Sequence, residues 1–200
     1  MDLGMPTEVD SYVENRFNEH HFVSEKSIVT YKFPKNDKRN GVTLKWFEGI
    51  PPQNDPYWAA EELKAWGKEL PTWGGMIMRG SKRSLYTHGR PNTPELLVSE
   101  NEWNDIQKSL PEQTIPRLKW GDETPVQEWI DAIKNDYLPE SNFNYSADLT
   151  EMALIGTLSQ RFGARIIYDT ENMKITNRPD IDSYIKETVR EGWEYGNSLV

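Results

Sequence analysis

The sequence predicts an α+β fold, a mostly antiparallel open sheet with helices packed on one face. Residues 26–33 and 42–49 are rich in β-branched and aromatic side chains, and turn residues at 36–41 separate them, which indicates a β-hairpin. Helical spacing of small and apolar residues recurs at 124–136 and 146–162. Because antiparallel sheets are commonly covered on one side only, we expect these helices to share a single sheet face.

The composition is that of a folded chain, which we expect to form one domain over residues 1–200. Hydrophobic residues make up 36% of the chain, but eight Trp, nine Tyr and six Phe can supply further core area. The absence of Cys excludes disulfides and thiol nucleophiles. The net charge of −9 repels nucleic acid and anionic lipid, and no apolar run approaches the ~18 residues of a membrane span. We therefore expect neither nucleic acid nor a membrane as a partner.

Local composition predicts the elements of the first half. Residues 8–17 favour a strand, and residues 57–70 have the composition of a helix. Residues 74–89 indicate two short strands around a central Gly-Ser-Lys turn. The segment 90–120 is irregular and contains several Pro, with a short helix near 101–110. A connection of that length is usually functional or wraps a surface.

A stronger helical signal covers residues 124–136, where Thr124 can cap and Pro125 suits the first turn. Four apolar side chains fall on one face at helical spacing: Val126, Trp129, Ile130 and Ile133. Because an apolar stripe of this kind normally faces the core, we expect Trp129 to be a core residue.

The next helix is predicted over residues 146–162, with Ser146 as its N-cap and Gly163 as its end. Apolar side chains lie on two of its sides, so we expect it to be widely buried. Gly156 costs about 1 kcal/mol relative to Ala in a helix interior. Its expected purpose is the close approach of another backbone.

Two further elements close the chain. Residues 164–169 and 173–177 indicate a second hairpin, and residues 179–193 indicate a final amphipathic helix. Four apolar residues of that helix are expected to face inward: Ile181, Tyr184, Ile185 and Val189.

No complete active site can be identified from the residues alone. There is no glycine-rich phosphate loop and no nucleophile-elbow serine. His20, His21 and His88 have no partners at metal-ligand spacing, so we expect no metal site and a structural role for all three. On these grounds alone, the chain is an α+β domain without catalytic machinery.

Several stretches carry a resemblance to a known family, in one order and at sensible spacing. They are QTIPR (113–117), QEWIDAIK (127–134), SNFNYSADLTEMALIG (141–156), DTENMKITNRPD (169–180) and REGW (190–193). Together they resemble the C-terminal domain of Gfo/Idh/MocA-type oxidoreductases, the family of glucose–fructose oxidoreductase and inositol dehydrogenase. The opening LGMPTEV is similar to the text that leads into the first strand of that domain, so we expect this chain to start at a domain boundary.

The resemblance implies a divided enzyme. In the family, an N-terminal Rossmann domain binds NAD or NADP, and a Lys of an E-K-P motif and a later His transfer protons. This chain contains no counterpart of either, so we expect no catalytic residue and no cofactor site in it. The part present is expected to be a substrate-side domain for a sugar or cyclitol, forming a homo-oligomer through its open sheet face. Family members are cytoplasmic or exported by a twin-arginine signal; of the two, the cytoplasm is favoured.

The candidate substrate-binding residues have alternative structural roles. Asn142, Asn144 and Tyr145 offer amide and hydroxyl groups to a sugar, or they cap a helix. Asn144 stands where the family has Asp, which puts the family's substrate details in doubt. Arg117 could hold an anion or form a salt bridge.

Arg79 and Lys82 lie beside the turn predicted within residues 74–89. They are further substrate candidates, or simply a solvated turn. Four tryptophans could stack on a sugar ring: Trp46, Trp58, Trp73 and Trp129. Two other functions stay open, namely a non-catalytic carbohydrate-binding or scaffolding module, and part of an NAD-dependent glycosidase of the same family.

Overall fold

A computed structural model describes residues 3–14, 26–49, 55–69, 74–89, 94–112, 124–186 and 188–193. The strands are β1 (Glu8–Val13), β2 (Ser27–Phe33), β3 (Val42–Glu48), β4 (Gly75–Arg79), β5 (Ser84–His88), β6 (Glu95–Leu97), β7 (Ile166–Asp169) and β8 (Lys174–Ile175). The helices are α1 (Ala60–Ala65), α2 (Glu100–Ile106), α3 (Thr124–Asn135), α4 (Phe143–Phe162) and α5 (Pro179–Asp182). Helices and antiparallel sheets together confirm the α+β character.

Contacts divide the chain into two compact units. The first comprises Met1–Pro51 and Glu128–Val200, and the second comprises Pro52–Gln127. The expectation of one functional domain over residues 1–200 stays a prediction. The boundary falls within the first turn of α3.

The first unit contains a five-stranded sheet in the order β3-β2-β1-β7-β8, and every neighbouring pair is antiparallel. The predicted hairpin is confirmed as β2 and β3, where Val29 lies opposite Trp46 and Tyr31 opposite Leu44. The second predicted hairpin is confirmed as β7 and β8, with Tyr168 opposite Ile175. Both hairpins depend on local turn chemistry, which is why the sequence predicts them well.

The core of the first unit lies between α4 and one face of this sheet. Val29, Tyr31 and Phe33 alternate along β2 and point to the same side, so they meet Ile155 and Leu158 of α4. Six further buried side chains join this cluster: Val9, Ala164, Ile166, Tyr168, Ile175 and Ile181. Helix α4 therefore packs against one face of this sheet.

The opposite face carries charge at β1 and β2. The Glu8 carboxylate pairs with Lys32 at 2.7 Å and with Arg165 at 2.5 Å. The hydrogen bond from Lys32 is the main reason that the pKa of Glu8 lies below its usual value, and Arg165 adds to it. Further along this face, Tyr12 is exposed but its neighbour Ile28 is buried. This described part of the face is a mixed surface.

The second unit has a three-stranded antiparallel sheet in the order β4-β5-β6. Strands β4 and β5 confirm the two short strands predicted within residues 74–89. Strand β6, in the segment predicted to be irregular, was missed because three residues carry too little periodicity. A small core holds this unit together: Ala59, Leu63, Tyr86 and Leu97.

Two helices are shorter than predicted. Helix α1 ends at Ala65, before Gly67 adopts a left-handed conformation with φ of 66°, which an L-residue disfavours and Gly accepts. Helix α5 ends at Asp182 and continues as turns. The helix predicted to residue 193 is therefore wrong beyond Asp182. Of its predicted inward residues, Ile181 is buried and Ile185 packs against the core, whereas Tyr184 is 47% exposed.

Candidate functional site

The N-terminal end of α4 holds three of the candidate residues. Asn142 is the N-cap, with an extended backbone, and its Oδ1 accepts the backbone N–H of Asn144 at 3.0 Å. Its Nδ2 donates to the Pro139 carbonyl at 2.7 Å. Both polar atoms of the Asn142 amide are thus hydrogen-bonded, one to the segment that precedes α4 and the other to the first turn of α4. The predicted cap, Ser146, is wrong because it already lies inside the helix.

Asn144 and Tyr145 are placed differently from Asn142. Both side chains are exposed, and within the described residues neither makes a side-chain hydrogen bond. From Phe143 to Thr150, α4 has no buried residue, and its burial begins only further along. The expectation of a widely buried helix is therefore wrong for its first two turns, which stand clear of the core and leave Asn144 and Tyr145 accessible.

The cap can be tested by substitution. Asn142→Ala is expected to lower the free energy of unfolding by about 1 kcal/mol, because it leaves an N-terminal N–H of α4 without its acceptor. Asn144→Ala serves as the matched control, with an expected change within about 0.5 kcal/mol for an exposed side chain. Urea denaturation of both variants gives the comparison. Equal losses at the two positions would contradict the assigned cap.

The basic candidates beside the β4–β5 turn belong to the second unit. The Arg79 guanidinium donates through Nε to Glu62 Oε2 of α1 at 2.7 Å, so it is already paired with a carboxylate. Lys82 is exposed in the turn. Arg117 lies outside the described residues. The structure thus favours the structural role for Arg79 and leaves Lys82 at the surface.

The tryptophan candidates are not gathered into one described cluster. Trp46 is exposed, and its Nε1 donates to Glu48 Oε2 on the same strand at 2.9 Å. Trp58 is only partly exposed, and Trp73 lies outside the described residues. Trp129 is 60% exposed, so its predicted place in the core is wrong.

Helix α3 is turned opposite to the expected orientation. Its apolar stripe, defined as Val126, Trp129, Ile130 and Ile133, is between 36% and 66% exposed at every member. The buried residues of the helix are Glu128 and Ala132, which are 5% and 4% exposed. An ordinary surface helix does the reverse and hides its apolar face.

The chain itself covers the polar side of α3. The backbone N–H of Glu140 donates to the Glu128 carboxylate at 2.9 Å. The Tyr137 hydroxyl donates to Asp131 Oδ2 at 3.0 Å. The segment that leads from α3 to α4 therefore contacts Glu128 and Asp131, on the side of α3 away from the apolar stripe.

Buried polar contacts fix α4 on the sheet, and the sequence did not predict them. The Tyr168 hydroxyl donates to Glu151 Oε1 at 2.6 Å. Burial first, and this hydrogen bond second, raise the pKa of Tyr168 far above its ordinary value. Ser159 donates to the Ala164 carbonyl at 2.8 Å, and Ser11 donates to the Ser159 carbonyl at 2.7 Å. The Tyr168–Glu151 and Ser11–Ser159 contacts join different elements, so they form only when α4 folds against the sheet.

The described parts of the chain contain no group of three or more His, Asp or Glu residues that could hold a metal ion. His88 is exposed at the end of β5 and packs edge-on against Tyr86, with ring centroids 5.3 Å apart. His20 and His21 lie outside the described residues. No described helix is long and apolar enough to cross a membrane.

Comparison with protein-family models, with curated proteins and with solved structures found no match to this chain. The Gfo/Idh/MocA resemblance thus stays a hypothesis, and it enters the proposal below on the residues that carry it.

Proposed function

We propose that this chain is the substrate-side and oligomerisation domain of an NAD(P)-dependent oxidoreductase that acts on a sugar or cyclitol. The observation that carries the proposal is the outward apolar stripe of α3. A contiguous exposed apolar patch of this kind is characteristic of an interaction surface. A domain that acts only together with the dinucleotide-binding domain of its parent, or with a second copy of itself, requires such a surface.

The proposed substrate edge is the accessible first turn of α4. Asn144 and Tyr145 present an amide and a phenol hydroxyl, which together both donate and accept hydrogen bonds, as sugar hydroxyls require. Asn142 positions this turn through its cap. Lys82 and Arg117 stay further candidates for the substrate, whereas the pairing of Arg79 with Glu62 favours a structural role.

The proposed chemistry is divided between this chain and the rest of its parent. Hydride would pass between the nicotinamide of NAD or NADP and a substrate carbon. The cofactor and the proton-transferring Lys and His belong to the parent's dinucleotide-binding domain. The family resemblance implies a subunit contact on the sheet face opposite α4, and the exposed apolar stripe of α3 offers a second surface for such a contact. An NAD-dependent glycosidase would use the same division, with hydride transfer as one step of its cycle.

The experiment begins with the coding sequence upstream of this chain. It is expected to contain, in the same reading frame, a G-x-G-x-x-G strand–helix start followed by an E-K-P motif. The extended protein is expected to reduce NAD or NADP with a sugar or cyclitol, and Asn144→Ala in it is expected to raise KM. An upstream frame without either motif would overturn the proposal. Unchanged kcat and KM in Asn144→Ala would remove Asn144 from the substrate edge.

A carbohydrate-binding or scaffolding module is the second candidate. It is favoured by the exposed aromatic side chains of the second unit, since aromatic faces stack on sugar rings: Tyr57, Trp66 and Trp103. Titration of this chain with monosaccharides and oligosaccharides, followed by Trp fluorescence, separates the two. Saturable binding at micromolar sugar would favour the module, whereas the oxidoreductase proposal expects no such response from this chain alone.

A further inference from the structure

We propose that the apolar stripe of α3 binds the same stripe of a second copy of this chain, in an antiparallel helix pair. The first support is the reversal of α3 itself. Glu128 is buried beneath the segment that follows the helix, and the apolar side is left to solvent. Turning the exposed stripe inward would break the hydrogen bond between the Glu140 backbone and the buried Glu128 carboxylate.

The second support is the symmetry of the stripe. Its members lie at spacings of three, one and three residues, so the pattern reads the same in both directions. In an antiparallel pair, Val126 of one copy meets Ile133 of the other, and Trp129 meets Ile130. The same patch then serves both partners, as a twofold interface requires.

The third support is charge. No member of the stripe is charged, and the ionisable residues of α3 lie off it: Glu128, Asp131 and Lys134. Two chains of net charge −9 repel at long range, but none of the ionisable residues within α3 is a member of the stripe. The helix dipoles of an antiparallel pair also oppose one another, which is the favourable arrangement.

The fourth support is area. With roughly 150–250 Å² for each large side chain, the exposed fractions of the four members give on the order of 400 Å² of apolar surface. If about 65% of a homodimer contact is apolar, the contact buries about 600 Å² per copy. The total of about 1,200 Å² reaches the lower end of specific, stable interfaces.

The described part of the sheet face exposes fewer large apolar side chains than the α3 stripe does. Of the apolar side chains there, Ile28 is already buried, and Glu8, Lys32 and Arg165 form ion pairs. Tyr12 is the large side chain exposed on β1. This contrast selects α3 over the sheet as the surface that a second copy covers.

Sedimentation equilibrium of the chain between about 5 and 200 μM tests the proposal, because an interface at the small end of the specific size range is expected to be weak or transient. The wild-type chain is expected to approach twice its 23.3 kDa mass. Ile133→Glu and Trp129→Ser are expected to weaken the dimer at least tenfold, with unchanged circular dichroism because both residues are exposed. Tyr12→Ser is the matched control on the sheet face and is expected to remain dimeric.

Three outcomes would overturn the proposal: a monomeric wild-type chain, a dimer that survives Ile133→Glu, or a dimer that Tyr12→Ser dissociates. A monomeric wild-type chain would mean that the stripe binds another domain or protein. A dimer that Tyr12→Ser dissociates would mean that the chain self-associates through the sheet.

Helix direction is tested by cross-linking, which is clean because the chain has no Cys. With copper–phenanthroline as oxidant, a mixture of the Val126→Cys and Ile133→Cys proteins is expected to form a disulfide-linked dimer of the two. Each protein alone is expected to cross-link far less, and efficient self-cross-linking of either one would overturn the antiparallel geometry. The inference rests on the oligomerisation part of the proposed function alone. Its failure by sedimentation is therefore distinct from failure of the activity assay.

Discussion

Replacing Ile155 by Ala is expected to lower the free energy of unfolding by about 3–4 kcal/mol. The side chain is 1% exposed and belongs to the cluster that α4 forms with β1 and β2. Its truncation removes buried apolar area and leaves a cavity, and measured losses for such changes are about 2–5 kcal/mol. Guanidinium denaturation of the wild type and the variant provides the measurement.

The adjacent residue is the matched control. Leu154 is 59% exposed because it lies on the outer side of the same turn of α4. Leu154→Ala removes about as many methylene groups but is expected to cost less than about 1 kcal/mol. If both variants lost the same stability, the described orientation of α4 on the sheet would be wrong.

Replacing Gly156 by Ala is also expected to destabilise the chain, by about 1–3 kcal/mol, although Ala is the better helix former. A Cβ at this position would overlap the Tyr31 hydroxyl and lie 2.7 Å from its Cζ. Tyr31 is itself buried against α4, so one of the two elements has to shift. The cost of overpacking then outweighs the gain of about 1 kcal/mol in helix propensity.

Two further variants separate these contributions. Ala153→Gly, at an exposed position of the same helix, reports propensity alone and is expected to cost about 1 kcal/mol. The Tyr31→Leu and Gly156→Ala substitutions combined are expected to cost less than the sum of the single changes, by at least about 1 kcal/mol. A stabilising Gly156→Ala would show that Tyr31 does not lie against the glycine.

The close approach predicted at Gly156 is confirmed, but its partner is a side chain rather than a backbone. The sequence shows that a helix-interior glycine is costly. It does not show which distant side chain occupies the space beside the glycine, because Tyr31 contacts α4 only when β2 folds against that helix. The hairpins differ in this respect, since β2 with β3 and β7 with β8 are specified by neighbouring residues and their turns.

The orientation of α3 is the main failure of the sequence interpretation. The spacing of Val126, Trp129, Ile130 and Ile133 correctly predicts a helix with an apolar face. The assumption that this face is buried within the same chain fails, because periodicity does not identify what covers a face. The contact that decides it, from the Glu140 backbone to Glu128, involves a carboxylate that the pattern places on the solvent side.

The candidate site was predicted only in part, for a similar reason. Asn142, Asn144 and Tyr145 share the same short stretch, but the start of α4 at Phe143 assigns Asn142 to the cap and leaves the other two exposed. A helix start moved by four residues, from the predicted N-cap Ser146 to the observed N-cap Asn142, is enough to change these roles. The role of Arg79 was not predicted because its partner Glu62 lies on a different element, 17 residues earlier in the sequence.

The most direct test of the central claim is titration of this chain with NADH and NADPH, read by energy transfer from its eight Trp to the reduced nicotinamide. The proposed function assigns the dinucleotide site to the parent's other domain. It therefore predicts no saturable quenching of Trp fluorescence by either nucleotide at concentrations up to about 1 mM. A Kd at that limit would correspond to a binding free energy of only about −4 kcal/mol. Saturable binding of NADH or NADPH in the micromolar range would contradict it, because the cofactor site would then lie within these 200 residues.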